Sequence, residues 1–397
     1  MSRLIFFVES YTAGGSDQVA RVLLENLACE KIYLIVNSSI DKRIILAPGL
    51  PDHVSVYTYH LVTPMDIGLF ANRFRHNKLI FLTLKAFDYI VRYPLLLFSF
   101  FYFLVFMMRF RAHTFIAHNG GYPGGLFCGT AAMASYFLPS VKKRFYAFHS
   151  MPRPVAKNQY WFDRFWDHTL DKLVTFIAVS KKSAEQMNAV RMVKQKPICI
   201  YNGLKPSPRK EYAHTPVLKI LHVGYFDYNK NQMLLVKCIA GLVQSGIMNI
   251  AVTFVGDIDE PAARKEIDEY VAATGISNYL TFTGFQKNVT PFYLSHDILV
   301  STSKIESFPI VILEAMRVGM PVVATKAGGV AEQVNDGITG YLVNSDDIAA
   351  MMLCLQSFID NRHLIQTMGS AAHHLFESQF TVNHMISEYD HYLGLKN

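Results

Sequence analysis

The stretch that decides the fold runs from residue 298 to residue 343 and reads ILVSTSKIESFPIVILEAMRVGMPVVATKAGGVAEQVNDGITGYLV. Its start, Ile298–Val300, is a short apolar run that is typical of a buried strand in a parallel sheet. Ile310–Val318 is apolar nearly all round, which is typical of a buried helix. Two carboxylates, Glu306 and Glu314, lie with seven residues between them where the strand gives way to the helix.

The chemistry of this junction depends on where the helix begins. Pro309 suits the first helical turn because it has no N–H to lose, and Ser307 is then the expected N-cap. Glu314 lies inside the helix and needs hydrogen-bond donors, which the hydroxyls of a ribose could supply. The helix N-terminus could hold a diphosphate, and Glu306 would reach the hydroxyls of the group attached to it. The alternative to this ligand-binding interpretation is an intrahelical ion pair between Glu314 and Arg317, with Glu306 exposed to solvent.

The wider pattern resembles a known family. Its order is Glu306-Ser-Phe-Pro, Glu314-Ala-Met, Gly319-Met-Pro-Val-Val-Ala-Thr, Gly328-Gly329, Asn335-Asp-Gly and Gly340. This order and spacing resemble the signature of retaining nucleotide-sugar glycosyltransferases of family four, which have the GT-B fold. The resemblance implies an α/β chain with two Rossmann-like domains facing each other across a cleft. It implies a nucleotide diphosphate-sugar as co-substrate, with a UDP-sugar expected first, and neither a cofactor nor a metal ion.

The resemblance also assigns roles in the second half of the chain. Glu306 is expected to be catalytic, in contact with the donor sugar. Lys230 matches a lysine that clamps the diphosphate, and Tyr225 stands where the family usually has an arginine. A phenol donates one hydrogen bond where arginine offers a charged fork. The expected donor-binding residues of this half are Tyr225, Lys230, Phe285, Phe308, Pro309, Ile310 and Glu314.

Candidates in the first half lie where strands are expected to end. Gly14 and Gly15 follow the first strand and match the family's glycine loop beside the donor phosphates, so they are expected to bind the donor. His149 ends an apolar run and matches a family histidine near the transferred sugar, so it is the second expected catalytic residue. His118 and Asn119 follow the preceding strand and are candidates for acceptor binding. A simple Gly-Gly turn and a structural histidine are the alternatives.

Short apolar runs separated by stretches of helical length predict the domain organisation. Residues 1–204 are expected to form an N-terminal acceptor-binding domain, and 217–379 a C-terminal nucleotide-sugar-binding domain. Residues 205–216 are rich in proline and charge and are expected to be a linker. Residues 380–397 are expected to be a helix that packs back on the N-terminal domain, as the resemblance implies.

Charge and composition bear on partners and compartment. Residues 1–210 hold 27 Lys+Arg against 12 Asp+Glu, a net charge of +15, and the remainder holds 11 against 19, or −8. No nucleic-acid-reading motif accompanies the basic half, so an anionic membrane surface or a phosphate-bearing acceptor fits better than nucleic acid. Five scattered cysteines without metal-ligand spacing are typical of reduced thiols in the cytoplasm. The chain starts Met-Ser-Arg and runs into a strand, so no signal peptide is expected.

Residues 70–112 are the least Rossmann-like part of the chain and are expected to associate with a membrane. Leu95–Met108 is apolar but for one serine, and at about 1.5 Å per residue it is shorter than a hydrocarbon core of about 30 Å. Upstream, basic and aromatic residues alternate, which is typical of an interfacial segment. A buried core helix with charged flanks is the alternative. We expect a peripheral protein on the inner face of the cell membrane.

Together these observations predict a retaining glycosyltransferase. It would move a sugar to a hydroxyl of a saccharide acceptor, expected to be lipid-linked, in bacterial surface polysaccharide or lipopolysaccharide biosynthesis. A GT-B-fold nucleotide-sugar epimerase and a non-catalytic sugar-nucleotide-binding or scaffold protein are the alternatives.

Overall fold

The chain divides into two compact units. The computed structural model describes residues 2–11, 14–40, 43–212 and 215–395. Unit 1 comprises the described residues up to Ile200 and those from Met385 onward, and unit 2 comprises Tyr201–His384. Each unit has its own parallel sheet and its own hydrophobic core.

Unit 1 is a parallel sheet with helices, and its strands run in the order β3-β2-β1-β4-β5-β6-β7. The strands are β1 (Arg3–Glu9), β2 (Lys31–Asn37), β3 (Val54–Tyr59), β4 (Thr114–Asn119), β5 (Lys143–Phe148), β6 (Thr175–Ala178) and β7 (Ile198–Cys199). The helices are α1 (Gly15–Asn26), α2 (Pro64–Asn72), α3 (Lys78–Met107), α4 (Leu126–Ser135), α5 (Tyr160–Leu173) and α6 (Lys181–Val190). The order reverses at β1 and β4, which pair in parallel, so their carboxyl ends form a topological switch point.

Unit 2 repeats this architecture with the strand order β10-β9-β8-β11-β12-β13. The strands are β8 (Leu218–Val223), β9 (Ile250–Val255), β10 (Leu280–Phe282), β11 (Ile298–Ser301), β12 (Val322–Thr325) and β13 (Gly340–Val343). The helices are α7 (Gln232–Gln244), α8 (Pro261–Thr274), α9 (Thr290–Ser295), α10 (Ile310–Val318), α11 (Ile348–Asp360) and α12 (His363–Gln379). Every β8–β11 and β8–β9 pair is parallel, so the switch point of this sheet lies after β8 and β11.

The segment expected to be a linker packs onto unit 2 where it is described. The backbone N–H of Lys210 donates to the Val318 carbonyl (2.8 Å), and Tyr212 Oη donates to the Gly319 carbonyl (2.6 Å). Lys210 is buried. A proline- and charge-rich composition predicted a linker, and in the structure polar groups of this segment hold it on the end of α10. Residues 213 and 214 lie outside the described part of the chain.

The last helix, α13 (Val382–Leu393), begins at the end of unit 2, and from Met385 it belongs to unit 1. In unit 1 its Asp390 accepts a hydrogen bond from the Ala28 N–H (3.1 Å), and the Leu393 carbonyl accepts one from Thr114 Oγ1 (3.4 Å). Residues 396 and 397 of the predicted C-terminal segment lie outside the described residues.

The apolar segment expected to be too short to cross a membrane is part of a longer helix. Helix α3 has 30 residues and runs through Pro94, so it is about 45 Å long, whereas the 14 residues of Leu95–Met108 alone would span about 21 Å. Within the described residues it is the one helix long and apolar enough to cross a membrane by length and composition. One stripe of it, containing Leu96, Phe103 and Met107, is nevertheless buried in the core of unit 1. The opposite face is apolar and exposed, so α3 fits neither expected alternative fully.

Candidate functional site

Two loops of unit 2 meet beyond the carboxyl ends of β8 and β11. Asn229, in the loop after β8, exchanges hydrogen bonds with the loop after β11. Its carbonyl accepts from the Lys304 N–H (2.8 Å), its Oδ1 accepts from the Ile305 N–H (3.0 Å), and its Nδ2 donates to the Ile305 carbonyl (3.1 Å). These bonds place the neighbouring residues Lys230 and Glu306 side by side.

Lys230 and Glu306 form an ion pair. Lys230 Nζ lies 2.5 Å from Glu306 Oε1, and the two side chains are 24% and 14% exposed. The Lys230 stem packs over Gly224, where a Cβ would lie 3.5 Å from Lys230 Cδ. A cation and a carboxylate that are paired but still accessible can be reassigned to a bound ligand, the cation to a phosphate and the carboxylate to hydroxyl groups.

A buried histidine, His222, holds the backbone of Lys230 in place through Thr302. The sequence did not predict this role. Thr302 Oγ1 donates to the Lys230 carbonyl (2.7 Å), so His222 Nε2–H is the group that donates to Thr302 Oγ1 (3.1 Å). Burial and then the nearby Lys230 charge lower the pKa of His222 to about 3, so this imidazole is neutral. The His222-Val-Gly sequence at the end of an apolar run is the signal that could have indicated it.

Gly224 and Gly256 allow the β8 and β9 loops to touch. Gly256 has φ +152°, and a Cβ on it would lie 1.9 Å from the Gly224 carbonyl oxygen. The Gly224 N–H in turn donates to the Val255 carbonyl (2.9 Å). Any side chain at position 256 would push the loop that carries Lys230 away from the sheet.

Helix α10 begins one residue later than expected, so the predicted cap is wrong. Pro309 occupies the N-cap position with φ −65° and ψ 125°, and Ile310 is the first helical residue. Ser307 does not cap the helix, and its buried Oγ has no hydrogen-bond partner among the described residues. Because Pro309 offers no side-chain acceptor, the first N–H groups of α10, including that of Ile310, are left for another partner.

The hydrogen-bond donor to Glu314 is Tyr293, not Arg317 as the alternative interpretation expected. Tyr293 Oη, on helix α9, donates to Glu314 Oε2 at 2.8 Å. Burial raises the pKa of Glu314, while the Tyr293 hydrogen bond and the Arg317 charge act in the opposite direction. A carboxylate can accept about four hydrogen bonds, so the Tyr293 contact leaves capacity for a ligand.

The three aromatic candidates of unit 2 differ in what they offer. Phe308 is buried: its ring stacks on Tyr201 with centroids 5.0 Å apart and meets Phe380 edge to face with centroids 5.5 Å apart, so only its backbone is available to a ligand. Tyr225 and Phe285 are exposed, at 43% and 56%. Both follow carboxyl ends of strands and offer free aromatic surface there.

In unit 1, strand β1 ends at Glu9, a carboxylate that the sequence analysis did not identify. Glu9 Oε1 accepts from Tyr11 Oη (2.8 Å), and Glu9 Oε2 accepts from the Phe127 N–H (2.9 Å) at the start of α4. Burial raises the pKa of Glu9 to about 7 despite these hydrogen bonds. The signal was a lone acidic residue directly after an apolar strand, in Phe-Val-Glu-Ser.

The two candidate histidines of unit 1 lie together, with ring centroids 4.2 Å apart. His118 is buried, and its Nε2–H donates to the Ser16 carbonyl (2.9 Å). Burial lowers the pKa of His118 to about 4 and, together with His118, lowers the pKa of His149 well below its usual value. Neither ring nitrogen of His149 has a partner among the described residues. His149 is therefore a neutral imidazole with hydrogen-bonding capacity to spare.

The other candidates of unit 1 separate into a structural residue and an open loop. Asn119 Nδ2 donates to Tyr146 Oη (2.8 Å) and to the Gly125 carbonyl (3.2 Å), so its amide is used within the fold. Gly14 is the N-cap of α1, and a Cβ there would meet nothing within 4 Å. Gly15 is exposed at the first position of α1. This loop therefore presents backbone to open space, while Thr12 and Ala13 beside it lie outside the described residues.

Metal-binding side chains do not gather in the described part of the chain, where no group of three or more His, Cys, Asp or Glu residues could hold an ion. The groups that these sheet edges present are a lysine, carboxylates, neutral imidazoles and helix N–H groups. Such groups suit a phosphorylated, hydroxyl-rich ligand.

Comparison with known proteins identifies a family for the second half of the chain. Residues 207–375 match the model of glycosyl transferases group 1, and the predicted resemblance is confirmed. The N-acetyl-alpha-D-glucosaminyl L-malate synthase of Bacillus anthracis is 30% identical over 183 residues, 46% of this chain and 47% of that protein. The lipopolysaccharide core biosynthesis mannosyltransferase LpsB of Rhizobium meliloti is 36% identical over 103 residues, 25% of this chain and 29% of that protein. The match thus spans about half of the first relative's length and less of the second's.

Solved structures match the whole chain. The Anabaena protein Alr3699/HepE, solved with UDP and glucose, superposes with a TM-score of 0.74 at 18% identity, covering 99% of this chain and 100% of that one. A glycosyltransferase from Rickettsia africae superposes with a TM-score of 0.76 at 16% identity, covering 99% and 98%. These neighbours have the GT-B fold, and the predicted fold class is confirmed.

Proposed function

Because this chain carries a glycosyl transferases group 1 domain on a GT-B fold, we propose that it is a glycosyltransferase that uses a nucleotide diphosphate-sugar. The observation that carries the proposal is the accessible Lys230–Glu306 ion pair, on the loops that precede helices α7 and α10. It supplies one cation and one carboxylate to a single ligand. A diphosphate with an attached sugar is a ligand that needs both.

The diphosphate half of the donor would be held by Lys230 and by the N-terminus of α10. Lys230 Nζ would exchange Glu306 for a phosphate oxygen, and the chain from His222 through Thr302 to the Lys230 carbonyl holds the lysine in place. The uncapped N–H groups at Ile310 and the buried Ser307 hydroxyl add hydrogen-bond donors. These groups would stabilise the charge that develops on the nucleoside diphosphate as it leaves.

The two carboxylates would divide the hydroxyl groups of the donor between them. Glu306, released from Lys230, would accept hydrogen bonds from the sugar, and Glu314, already fixed by Tyr293, would accept them from the ribose. Tyr225 and Phe285 offer exposed aromatic surface for the nucleotide. UDP is the expected nucleotide, supported by the UDP complex of the Anabaena structural neighbour.

The proposed reaction retains the configuration of the sugar. The bond from the anomeric carbon to the diphosphate oxygen breaks, and a bond to the acceptor hydroxyl oxygen forms on the same face through an oxocarbenium-like state. The acceptor proton passes to the departing phosphate oxygen. In unit 1, the neutral His149 has free nitrogens for a sugar hydroxyl, and the Gly14–Gly15 loop offers backbone N–H groups. Because Asn119 and His118 Nε2 are already bonded within the fold, whereas neither ring nitrogen of His149 has a partner among the described residues, His149 is the best placed of these polar side chains.

We propose further that the acceptor is a lipid-linked saccharide and that the protein works on the inner face of the cell membrane. The exposed face of α3 carries Leu97, Phe98, Phe101 and Val105, each more than half exposed. This face continues onto the segment after α4, where the ring of Phe137 packs against the ring of Phe100 on α3, with centroids 5.7 Å apart. A broad apolar face on the unit that carries most of the positive charge suits an anionic bilayer. Bacterial surface polysaccharide or lipopolysaccharide synthesis is the expected setting.

The test is a transfer assay with the full chain. UDP-sugars are offered with a polyprenyl diphosphate-linked sugar, and the expected product carries a new glycosidic bond with the anomeric configuration of the donor. Lys230→Met is expected to lower turnover at least a hundredfold, whereas Lys237→Met, an exposed lysine on α7, leaves it unchanged.

The remaining outcomes separate the alternatives. A donor whose sugar is epimerised without any acceptor would identify an epimerase. Donor binding without turnover under every acceptor would favour a binding or scaffold protein, to which Tyr225 in place of arginine points. A product of inverted configuration would overturn the retaining mechanism.

A further inference from the structure

Unit 1 contains a pocket of about 590 Å³ next to the end of β1 and between α2 and α3, which we call the α2–α3 pocket. Its lining residues are Tyr11, Ser39, Val62, Asp66, Ile67, Leu69, Phe70, Arg73, Leu84 and Phe87. The volume lies in the range of small-molecule sites. None of the residues assigned above to the donor or to catalysis lines it.

One group of lining residues is polar and held in a fixed arrangement. Ser39 Oγ donates to Asp66 Oδ1 at 2.7 Å, and Asp66 Oδ2 accepts from the Thr63 N–H (2.9 Å) in a capping box at the start of α2. Tyr11 Oη donates to Glu9 Oε1 and contacts the Thr63 hydroxyl. Hydroxyl, phenol and carboxylate groups fixed in this way recognise the hydroxyls of a sugar.

The remaining lining residues are apolar apart from one cation. Leu69, Phe70 and Phe87 line the pocket and are also 43%, 49% and 53% exposed, so the pocket is continuous with the apolar surface of α2 and α3. Arg73 follows the last residue of α2 and is exposed. A ligand that contacts both the polar group and the apolar walls thus shares the pocket with a guanidinium group, which is suited to a phosphate.

We propose that the α2–α3 pocket binds the sugar–phosphate–hydrocarbon junction of a lipid-linked acceptor. The sugar lies against Ser39 and Asp66, the phosphate against Arg73, and the first part of the chain along Phe70 and Phe87. The rest of the chain follows the exposed apolar surface toward the bilayer. This assignment rests on the proposed function, since it identifies the acceptor of that same reaction.

The test measures binding of farnesyl monophosphate, farnesol and inorganic phosphate to the full chain by calorimetry, below the concentration at which the lipids aggregate. Farnesyl monophosphate is expected to bind, farnesol to bind about tenfold more weakly, and inorganic phosphate not to bind. Arg73→Gln is expected to weaken farnesyl monophosphate about tenfold and to leave farnesol unchanged. Arg75→Gln, an exposed arginine two residues on that does not line the pocket, is the matched control and should behave like the wild type.

Filling the pocket provides an independent check. Ile67→Trp is expected to abolish binding of both lipids. If Arg73→Gln and Arg75→Gln weaken farnesyl monophosphate equally, the attraction is a general surface charge and the assignment is overturned. Binding of inorganic phosphate as strongly as of farnesyl monophosphate would equally overturn it, because the hydrocarbon would then contribute nothing.

The same preparations separate this inference from the proposed function. UDP-sugars are expected to raise the melting temperature of the wild type and of Arg73→Gln by the same amount, since Arg73 is not among the residues assigned to the donor. Donor stabilisation with no pocket-dependent lipid binding would defeat the pocket and leave the transferase standing. Pocket-dependent lipid binding with no response to any UDP-sugar would defeat the transferase, and with it the role of the lipid as acceptor.

Discussion

Replacing Glu9 by Gln is expected to change how the stability of unit 1 depends on pH. The Glu9 carboxyl is 4% exposed, and burial raises its pKa from 4.5 to about 7. Gln keeps a similar shape and can still accept from the Phe127 N–H, but it does not titrate. The comparison of the two proteins therefore isolates the proton on this one group.

The sign and size follow from the two pKa values. Between pH 4.5 and pH 7 the folded protein keeps a proton on Glu9 that the unfolded chain has already released. Stability therefore falls as pH rises through this window and is lower by a constant amount above it. A difference of about 2.5 units corresponds to about 3 kcal/mol. For a unit of this size that is a change of roughly 6–12 °C in melting temperature.

Tryptophan fluorescence can follow this change, because both tryptophans of the chain, Trp161 and Trp166, lie in unit 1. Melting temperatures of the wild type and of Glu9→Gln are measured from pH 4.5 to pH 8. As pH rises across this range, the melting temperature of Glu9→Gln relative to that of the wild type is expected to increase by roughly 6–12 °C. The relative melting temperature of Glu185→Gln, an exposed control, is expected to stay constant. A difference between Glu9→Gln and the wild type that stays constant with pH would refute the raised pKa.

Three further substitutions test packing, a buried charge cluster and membrane contact. Gly256→Ala is expected to destabilise unit 2 by about 1–3 kcal/mol more than Gly246→Ala in calorimetric unfolding, because both have positive φ but only Gly256 has a carbonyl oxygen within 2 Å of the new Cβ. Arg191→Met leaves two buried aspartates without their ion pairs and is expected to lower the free energy of unfolding by about 3–5 kcal/mol, measured by denaturant unfolding followed by tryptophan fluorescence. A loss of under about 1 kcal/mol, as for an exposed ion pair, would contradict this expectation. Trp161→Ser, on helix α5 at a residue that is 78% exposed, is expected to weaken sedimentation with phosphatidylglycerol vesicles roughly tenfold, while Met248→Ser in unit 2 has no effect. Equal effects of the two substitutions would exclude a docking role for Trp161.

The sequence predicted the sheets well because buried parallel strands are continuous apolar runs of characteristic length. Runs such as Leu4–Val8 and Val252–Val255 lie within β1 and β9. Strand β13 was not among the predicted runs, since its four residues begin with a glycine and carry too little periodicity. Glu306 and Glu314 were placed correctly on a loop and a helix because the strand and helix around them are strongly patterned.

The parts that sequence reasoning could not supply depend on contacts between distant segments. The Tyr293–Glu314 bond joins positions 21 residues apart, and the His222–Thr302 bond joins positions 80 apart. The apolar run Leu95–Met108 was interpreted by itself, whereas in the structure it is the second half of helix α3, which runs through Pro94 and packs on α4, where Ser99 Oγ donates to Thr130 Oγ1. Composition predicted a linker at residues 205–216, but it does not reveal which polar groups of the segment find partners.

The measurement that tests the central claim most directly is heat stability of the full chain with a panel of nucleotide sugars. Wild type, Glu306→Gln, Glu314→Gln and the exposed control Glu269→Gln are compared. We expect one UDP-sugar to raise the melting temperature of the wild type and of the control, and to raise that of the two site variants much less. If no nucleotide sugar stabilises the protein, or if Glu306→Gln and Glu314→Gln respond like the control, the two carboxylates do not hold a sugar nucleotide and the account is contradicted.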